Sequence, residues 1–269
     1  MVIQHNIAAI NSYRNLSTNQ SALSKNLEKL SSGYKINRAG DDAAGLAISE
    51  SMRSQINGLN QAVSNANDGV GLIQTAEGAL TETHSMLQRL KTLSTQAANG
   101  TYTTTARENI KEEVDALTQE IDRISTSTTF NGVSPLAGGK NMTFQIGATA
   151  TETLNLATQD MSSTALQIKD MKVSTTAEAN ASMKKIDDAI DTVSTYRAKL
   201  GAAQNRMEHT INNLKVTSEN VTAAESRIRD TDMADEMTSY TKNNILMQAA
   251  QSMLAQSNSM PQGVLNMLQ

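Results

Sequence analysis

The sequence predicts a mainly α-helical chain: a long antiparallel helical rod or coiled coil with one small β-hairpin and both termini at the same end. Three observations carry this prediction. Apolar residues recur at steps of three and four over two very long stretches. Pro135 and Pro261 are the only prolines in 269 residues, so long segments are free of helix breakers. Aromatics make up 3% of the chain, with no Trp and two Phe, which suits a thin elongated core better than an enzyme core.

The elements follow in chain order. Ile7, Ile10, Leu16, Leu23, Leu27, Leu30 and Tyr34 fall mostly three, four or seven apart, as on one helix face. Gly33 is a stop signal, and the stretch from Asn37 to Asp42 reads as a turn. A second helix is expected from about Ala44 to Ala98. Its seam is Ile56, Leu59, Val63, Ala66, Val70, Ile73, Glu77, Leu80, His84, Leu87, Lys91 and Ser94. At 1.5 Å per residue such a helix is ~80 Å long, beyond an ordinary globular diameter. Asn99-Gly100-Thr101 ends it, with the glycine as its C-terminal cap signal.

Ile110, Val114, Leu117, Ile121 and Ile124 mark a shorter helix. From Ser125 to Lys140 the composition turns to Ser, Thr and Gly, as expected of loops that face solvent. Met142, Phe144 and Ile146 alternate with polar residues, and Leu154 and Leu156 answer them, so a β-hairpin is expected around 141–157. The last long helix begins near Ala177. Its seam is Ile186, Ile190, Val193, Leu200, Met207, Ile211, Leu214, Val221 and Ile228, with Arg197, Gln204, Ser218 and Glu225 between. Asp230-Thr231-Asp232 breaks the pattern. A terminal segment then offers Met233, Met237, Ile245, Leu246, Met253, Leu254, Val264, Leu265 and Leu268. Methionine stands there where a fixed core more often uses Leu or Ile.

Composition sets function classes aside. Net charge is −4 with no dense basic patch, which argues against nucleic-acid binding. The absence of cysteine excludes disulfides, zinc–thiolate sites and cysteine nucleophiles. No apolar run approaches the ~20 residues of a membrane span, so no membrane insertion is expected. Met1 to Leu16 lacks a basic leader followed by an apolar stretch, so no cleavable signal peptide is expected either.

Candidate chemistry reduces to structure. Asp41 and Asp42 suit a helix N-cap better than a catalytic pair. Asp230, Asp232, Asp235 and Glu236 lack the glycine and spacing of a calcium loop and suit a helix start. His5, His84 and His209 lie far apart in sequence. Gly69 and Gly71 follow no strand and lack a third glycine, so they suit close helix packing rather than a dinucleotide. No catalytic residue, cofactor or metal ligand is expected.

The pattern is near-palindromic: terminal segment, long helix, central cap, long helix, terminal segment. The two long helices need partners for their seams, and each is the nearest partner of the other. The terminal segments are thin in apolar residues for the backbone entropy they must lose. They are expected to stay disordered in an isolated copy and to order against other copies. Head-to-tail contacts that do not close give filaments.

Particular residues then resemble a known family. Leu30-Ser31-Ser32-Gly33-Tyr34-Lys35-Ile36-Asn37-Arg38-Ala39-Gly40-Asp41-Asp42-Ala43-Ala44-Gly45-Leu46-Ala47-Ile48 closely resembles the N-terminal signature of bacterial flagellins. So do Gln74-Thr75-Ala76-Glu77-Gly78-Ala79-Leu80 and Phe130-Asn131-Gly132. Arg197-Ala198-Lys199-Leu200-Gly201-Ala202, Glu225 to Ala234 and Asn243-Asn244-Ile245-Leu246 are similar to the C-terminal signature.

The resemblance implies a homopolymer, the flagellar filament of swimming motility. Residues 1–43 and 233–269 would form an inner tube, and 44–232 a helical rod domain around it, with no large outer domain. Its inner-tube interface would hold Ile7, Ile10, Leu16, Leu23, Leu27, Leu30, Ile245, Leu246, Met253, Leu254, Val264, Leu265 and Leu268. It also implies type III export to the extracellular flagellum, an export chaperone on the last helix, and contacts with filament cap and hook-junction proteins. Gln88, Arg89, Leu93 and Glu113 match positions read by the flagellin-sensing Toll-like receptor; Thr92 replaces the acidic residue common there. The rival readings are a hook–filament junction protein of the same apparatus, then a cytoplasmic helical scaffold, then an enzyme.

Overall fold

A computed structural model describes residues 6–267, apart from the side chains of residues 261, 262 and 264–267. Five helices and one hairpin follow in order: α1 (Ile7–Ser32), α2 (Ala43–Ala98), α3 (Thr104–Ser127), β1 (Asn141–Gln145), β2 (Thr153–Ala157), α4 (Thr176–Arg229) and α5 (Met233–Met267). The mainly α class and the hairpin expected from sequence are both present. The chain divides into two compact units. One holds residues 1–54 and 220–269, the other residues 55–219.

The unit of residues 55–219 contains nearly all of the apolar core. α2 and α4 run antiparallel in it, tied by Ser218 Oγ donating to Asn60 Oδ1 (3.1 Å) and Lys91 Nζ to Asp187 Oδ1 (2.6 Å). α3 folds back along α2, with Arg89 Nε donating to Glu113 Oε1 at 2.8 Å. Between the helices lies a continuous cluster that includes Ile73, Leu80, Leu87, Leu90, Val114, Ile121, Ile186, Val193, Tyr196 and Leu200.

Part of each seam coincides with the sequence expectation and part is shifted by one residue. In α2 the buried line runs Leu59, Ala62, Ala66, Gly69, Ile73, Ala76, Leu80, Thr83, Leu87, Leu90 and Ser94. Ala62, Gly69, Ala76, Thr83 and Leu90 thus take the places assigned to Val63, Val70, Glu77, His84 and Lys91. In α4, Ala189, Tyr196 and Ala203 are buried where Ile190, Arg197 and Gln204 were expected. Steps of three and four are both one-turn neighbours, and small residues let the backbones approach. At Gly69 an added Cβ would lie 2.9 Å from Met207 Sδ and 3.2 Å from Phe144 Cδ1.

The end of α2 also differs from expectation. Gly100 does not enter the left-handed region that a glycine cap uses. Instead the Arg107 guanidinium donates to the carbonyls of Ala97 (3.0 Å) and Asn99 (3.1 Å), satisfying the helix end from α3.

The stretch between α3 and α4 is a second correction. It was expected to face solvent, yet Leu136, Met161, Leu166, Ile168, Met171 and Val173 are buried in the main core. Phe130 and Val133 exchange backbone hydrogen bonds across a two-residue turn, at 2.9 and 3.0 Å. Asn131 (φ 49°) and Gly132 (φ 78°) supply the positive angles that such a turn needs. β1 and β2 pair antiparallel, Met142 opposite Leu156 and Phe144 opposite Leu154, with both leucines buried.

Candidate assembly surface

The unit of residues 1–54 and 220–269 is built on α1 and α5. Asn6 caps α1: its Oδ1 accepts from Ala9 N–H at 3.1 Å, while its Nδ2 donates to the Ser257 carbonyl at 2.8 Å. Gly33, at φ 75°, ends α1 in the left-handed conformation, and its N–H donates to the Lys29 carbonyl. Asp42 Oδ1 accepts from Gly45 N–H at 2.9 Å, so it caps α2. Asp232 does the same for α5, accepting from Ala234 N–H at 2.8 Å. Asp235 and Glu236 add negative charge to that first turn, where the helix dipole favours it. Of the carboxylates weighed as chemistry, Asp42 and Asp232 are thus caps and Asp235 and Glu236 helix-start charges, while Asp41 accepts from Asn37 and Arg38 N–H within the turn and Asp230 forms a backbone bridge with Tyr34. Among the described residues no group of three or more His, Asp and Glu is placed to hold a metal.

α1 and α5 run antiparallel. Asn6 meets Ser257, Lys29 meets Glu236 at 3.7 Å, and Thr231 N–H donates to the Gly33 carbonyl at 3.0 Å. Both members of the pair are helical. Lys35 N–H also donates to the Arg229 carbonyl at 2.6 Å, joining the residues after α1 to the end of α4. Tyr34 lies there under two guanidinium groups, Arg229 at 4.6 Å and Arg53 at 5.8 Å from its ring centre. Glu50 pairs with Arg229 at 2.6 Å, and Glu225 with Arg53 at 3.4 Å, so the cations are neutralised as well as stacked. In the turn that follows, before α2, hydrogen bonds from Arg38 and Asn37 N–H hold the Asp41 carboxyl below its ordinary pKa, and Lys25 and Lys29 add to this.

The seam of the α1–α5 pair mixes polar and apolar residues. Asn26 and Ser257 are buried in it, and Asn26 Nδ2, Glu236 Oε1 and Ser257 Oγ have no hydrogen-bond partner. Leu16, Leu23, Leu30 and Leu254 share this seam half-buried, while many of the unit's other large apolar side chains are exposed. Among the described residues thirteen large hydrophobics are exposed, and eleven of them belong to this unit: Ile7, Ile10, Tyr13, Leu27, Ile48, Met233, Met237, Ile245, Leu246, Met253 and Met260. Ile36 is its only buried hydrophobic among the described residues. A unit with eleven exposed large hydrophobics and one buried hydrophobic among its described residues presents a surface suited to further protein.

The thirteen residues assigned to an inner-tube interface therefore divide. Leu16, Leu23, Leu30 and Leu254 are half-buried, while Ile7, Ile10, Leu27, Ile245, Leu246 and Met253 are exposed. Val264, Leu265 and Leu268 lie outside the described side chains. Sequence reasoning left the exposed Tyr13, Ile48, Met233, Met237 and Met260 out of that set. Tyr13 stands three residues after Ile10, a spacing that could have found it. Of the receptor-type positions, Gln88 and Arg89 are exposed, Arg89 is paired with Glu113, and Leu93 is buried beneath them in the core.

Residues 3–141 match the bacterial flagellin N-terminal helical region, and residues 183–268 match the bacterial flagellin C-terminal helical region. The flagellin of Bacillus subtilis (strain 168) is 53% identical, and that of Halalkalibacterium halodurans 50% identical, each alignment covering 100% of both chains. The crystal structure of Bacillus cereus flagellin, 32% identical, superposes with a TM-score of 0.52 over 60% of this chain and 94% of that one. Among the described residues no helix is long and apolar enough to cross a membrane. Nothing in these comparisons favours the hook–filament junction reading. With both flagellin regions matched and full-length relatives at half identity, the chain belongs to the bacterial flagellin family: a short form without a large outer domain, and a non-enzymatic structural subunit of the extracellular flagellar filament.

Proposed function

We propose that the outward apolar faces of α1 and α5 are the contacts between filament subunits, with 1–43 and 233–269 as the inner tube and 44–232 as the rod domain around it. The observation that carries this is the segregation of exposed hydrophobics: eleven of thirteen lie in the α1–α5 unit. Copies of the same chain are the occupants, because the family's assembly is a homopolymer and heterologous contacts that do not close extend indefinitely. The exposed face of α5 also suits an export chaperone, which would cover it until the chain leaves by the flagellar type III route. Cap and hook-junction proteins would meet the same terminal helices at the filament's two ends. Gln88, Arg89 and Glu113, supported from below by Leu93, form the candidate surface for the flagellin-sensing Toll-like receptor.

The test is truncation. Chains lacking residues 1–34 or 235–269 remain soluble and helical but form no filaments by electron microscopy. Normal polymerisation by either truncated chain overturns the inner-tube assignment.

A further inference from the structure

Among the described side chains three methionines are buried, four are exposed and five are half-buried. Met161, Met171 and Met207, in the unit of residues 55–219, are 1%, 3% and 0% exposed. Met233, Met237, Met253 and Met260, all on α5, are 48%, 49%, 63% and 48% exposed. None of these four lies in the half-buried line of Glu236, Tyr240, Asn243, Met247, Ala250, Leu254 and Ser257. A thioether is an apolar contact, yet it is also a two-electron nucleophile. Oxidation turns it into a polar, chiral sulfoxide.

We propose that Met233, Met237, Met253 and Met260 are redox-modification sites, and that their oxidation to sulfoxides blocks assembly of the free chain. The oxidant class is a peroxide. A sulfur lone pair attacks one peroxide oxygen, the O–O bond breaks, the sulfur becomes S=O and, after proton transfer, the other oxygen leaves as water. The sulfur loses two electrons and the peroxide gains them. The unoxidised chain presents four apolar side chains to a neighbouring copy; the oxidised chain presents four dipoles that a dry contact must desolvate. The reaction is open to the free subunit and closed to the assembled one, because the same contacts that need the thioethers also cover them. This rests on the assembly face proposed above.

The experiment treats the full chain, before assembly, with hydrogen peroxide at a dose that peptide mass spectrometry shows oxidising the α5 methionines but not Met161, Met171 or Met207. Assembly is then followed by light scattering and sedimentation, beside untreated chain and a Met233→Leu, Met237→Leu, Met253→Leu, Met260→Leu variant. Leucine keeps the volume and apolar character without the reactive sulfur. The expected result is a critical concentration at least about tenfold higher for the oxidised wild type. Methionine sulfoxide reductases should restore it, the treated variant should assemble like the untreated one, and preformed filaments should resist oxidation at these four sites. An unchanged critical concentration after oxidation, an equal loss in the treated variant, or no recovery on reduction would overturn the proposal. Failure of the untreated wild-type chain to assemble would instead count against the assembly face itself.

Discussion

Replacing Ile245 by Asp tests the assembly face at one position. Ile245 is 61% exposed on α5. Fully burying an isoleucine contributes ~1.5–3 kcal/mol, so covering the remainder in a filament contributes about 1–2 kcal/mol. A carboxylate forgoes that and adds a desolvation cost of several kcal/mol when a neighbouring copy covers it. The sum is roughly 4 kcal/mol or more, which raises the critical concentration about a thousandfold. Ile245→Ala forgoes only the first part and raises it about five- to thirtyfold. Neither change touches the core of the unassembled chain, so chemical denaturation of the monomer should move by about 0.5 kcal/mol at most. Seeded polymerisation measured by sedimentation, with electron microscopy of the pellet, reads the effect. Assembly of the Asp variant at the wild-type critical concentration would refute the reasoning, since α5 would then turn its outer face to solvent.

Three further outcomes test the fold beneath the surface. Tyr196→Ala should destabilise the chain by about 3–5 kcal/mol, because Tyr196 is 1% exposed among Val193, Leu200 and their neighbours. Tyr196→Phe should cost about 1 kcal/mol, the worth of its 3.4 Å hydrogen bond to the Pro135 carbonyl, and thermal unfolding of the pair separates packing from polarity. Gly33→Ala should cost about 1–2 kcal/mol through backbone strain alone, since φ is 75° and no atom lies within 4 Å of an added Cβ; unfolding followed at α1 measures it. Asp41 has a folded pKa below its ordinary 3.8, so its stabilising bonds are present above that value and are lost as pH falls through the folded pKa. Asp41→Asn should flatten that acid limb of the stability profile, and an unchanged limb would show that other carboxylates set it.

The sequence was most legible where one residue type dominates a signal. Gly33 and Ala98 marked helix ends because turn residues follow a long periodic run, and Met142, Phe144, Leu154 and Leu156 announced the hairpin by alternation. The seams were half legible. Leu59, Ile73, Leu80 and Leu87 stand out, but Ala62, Gly69, Ala76 and Ala203 carry almost no hydrophobic signal. Bulkier neighbours one position away therefore took their places. The core contribution of Met161, Leu166, Ile168 and Val173 was hidden because nonperiodic apolar residues in a polar stretch read as loop. The α1–α5 unit was the hardest case. Leu16, Leu23 and Leu30 share the inward stripe with Asn26, while Ile7, Ile10 and Leu27 turn outward. Hydrophobicity alone does not separate a seam within one chain from a face awaiting another.

That distinction is also where the account is tested most directly. Hydrogen–deuterium exchange can be read on α1 and α5 in the free chain and in the filament, with the core around Ile73, Leu87 and Leu200 as internal reference. Weak protection of both terminal helices is expected in the free chain, because their shared seam buries Asn26 and Ser257 while Ile7, Ile10, Ile245 and Met253 stay in water. Protection at least about a hundredfold stronger is expected in the filament, while the core is protected in both states. Equal protection of α1 and α5 before and after assembly would contradict the account.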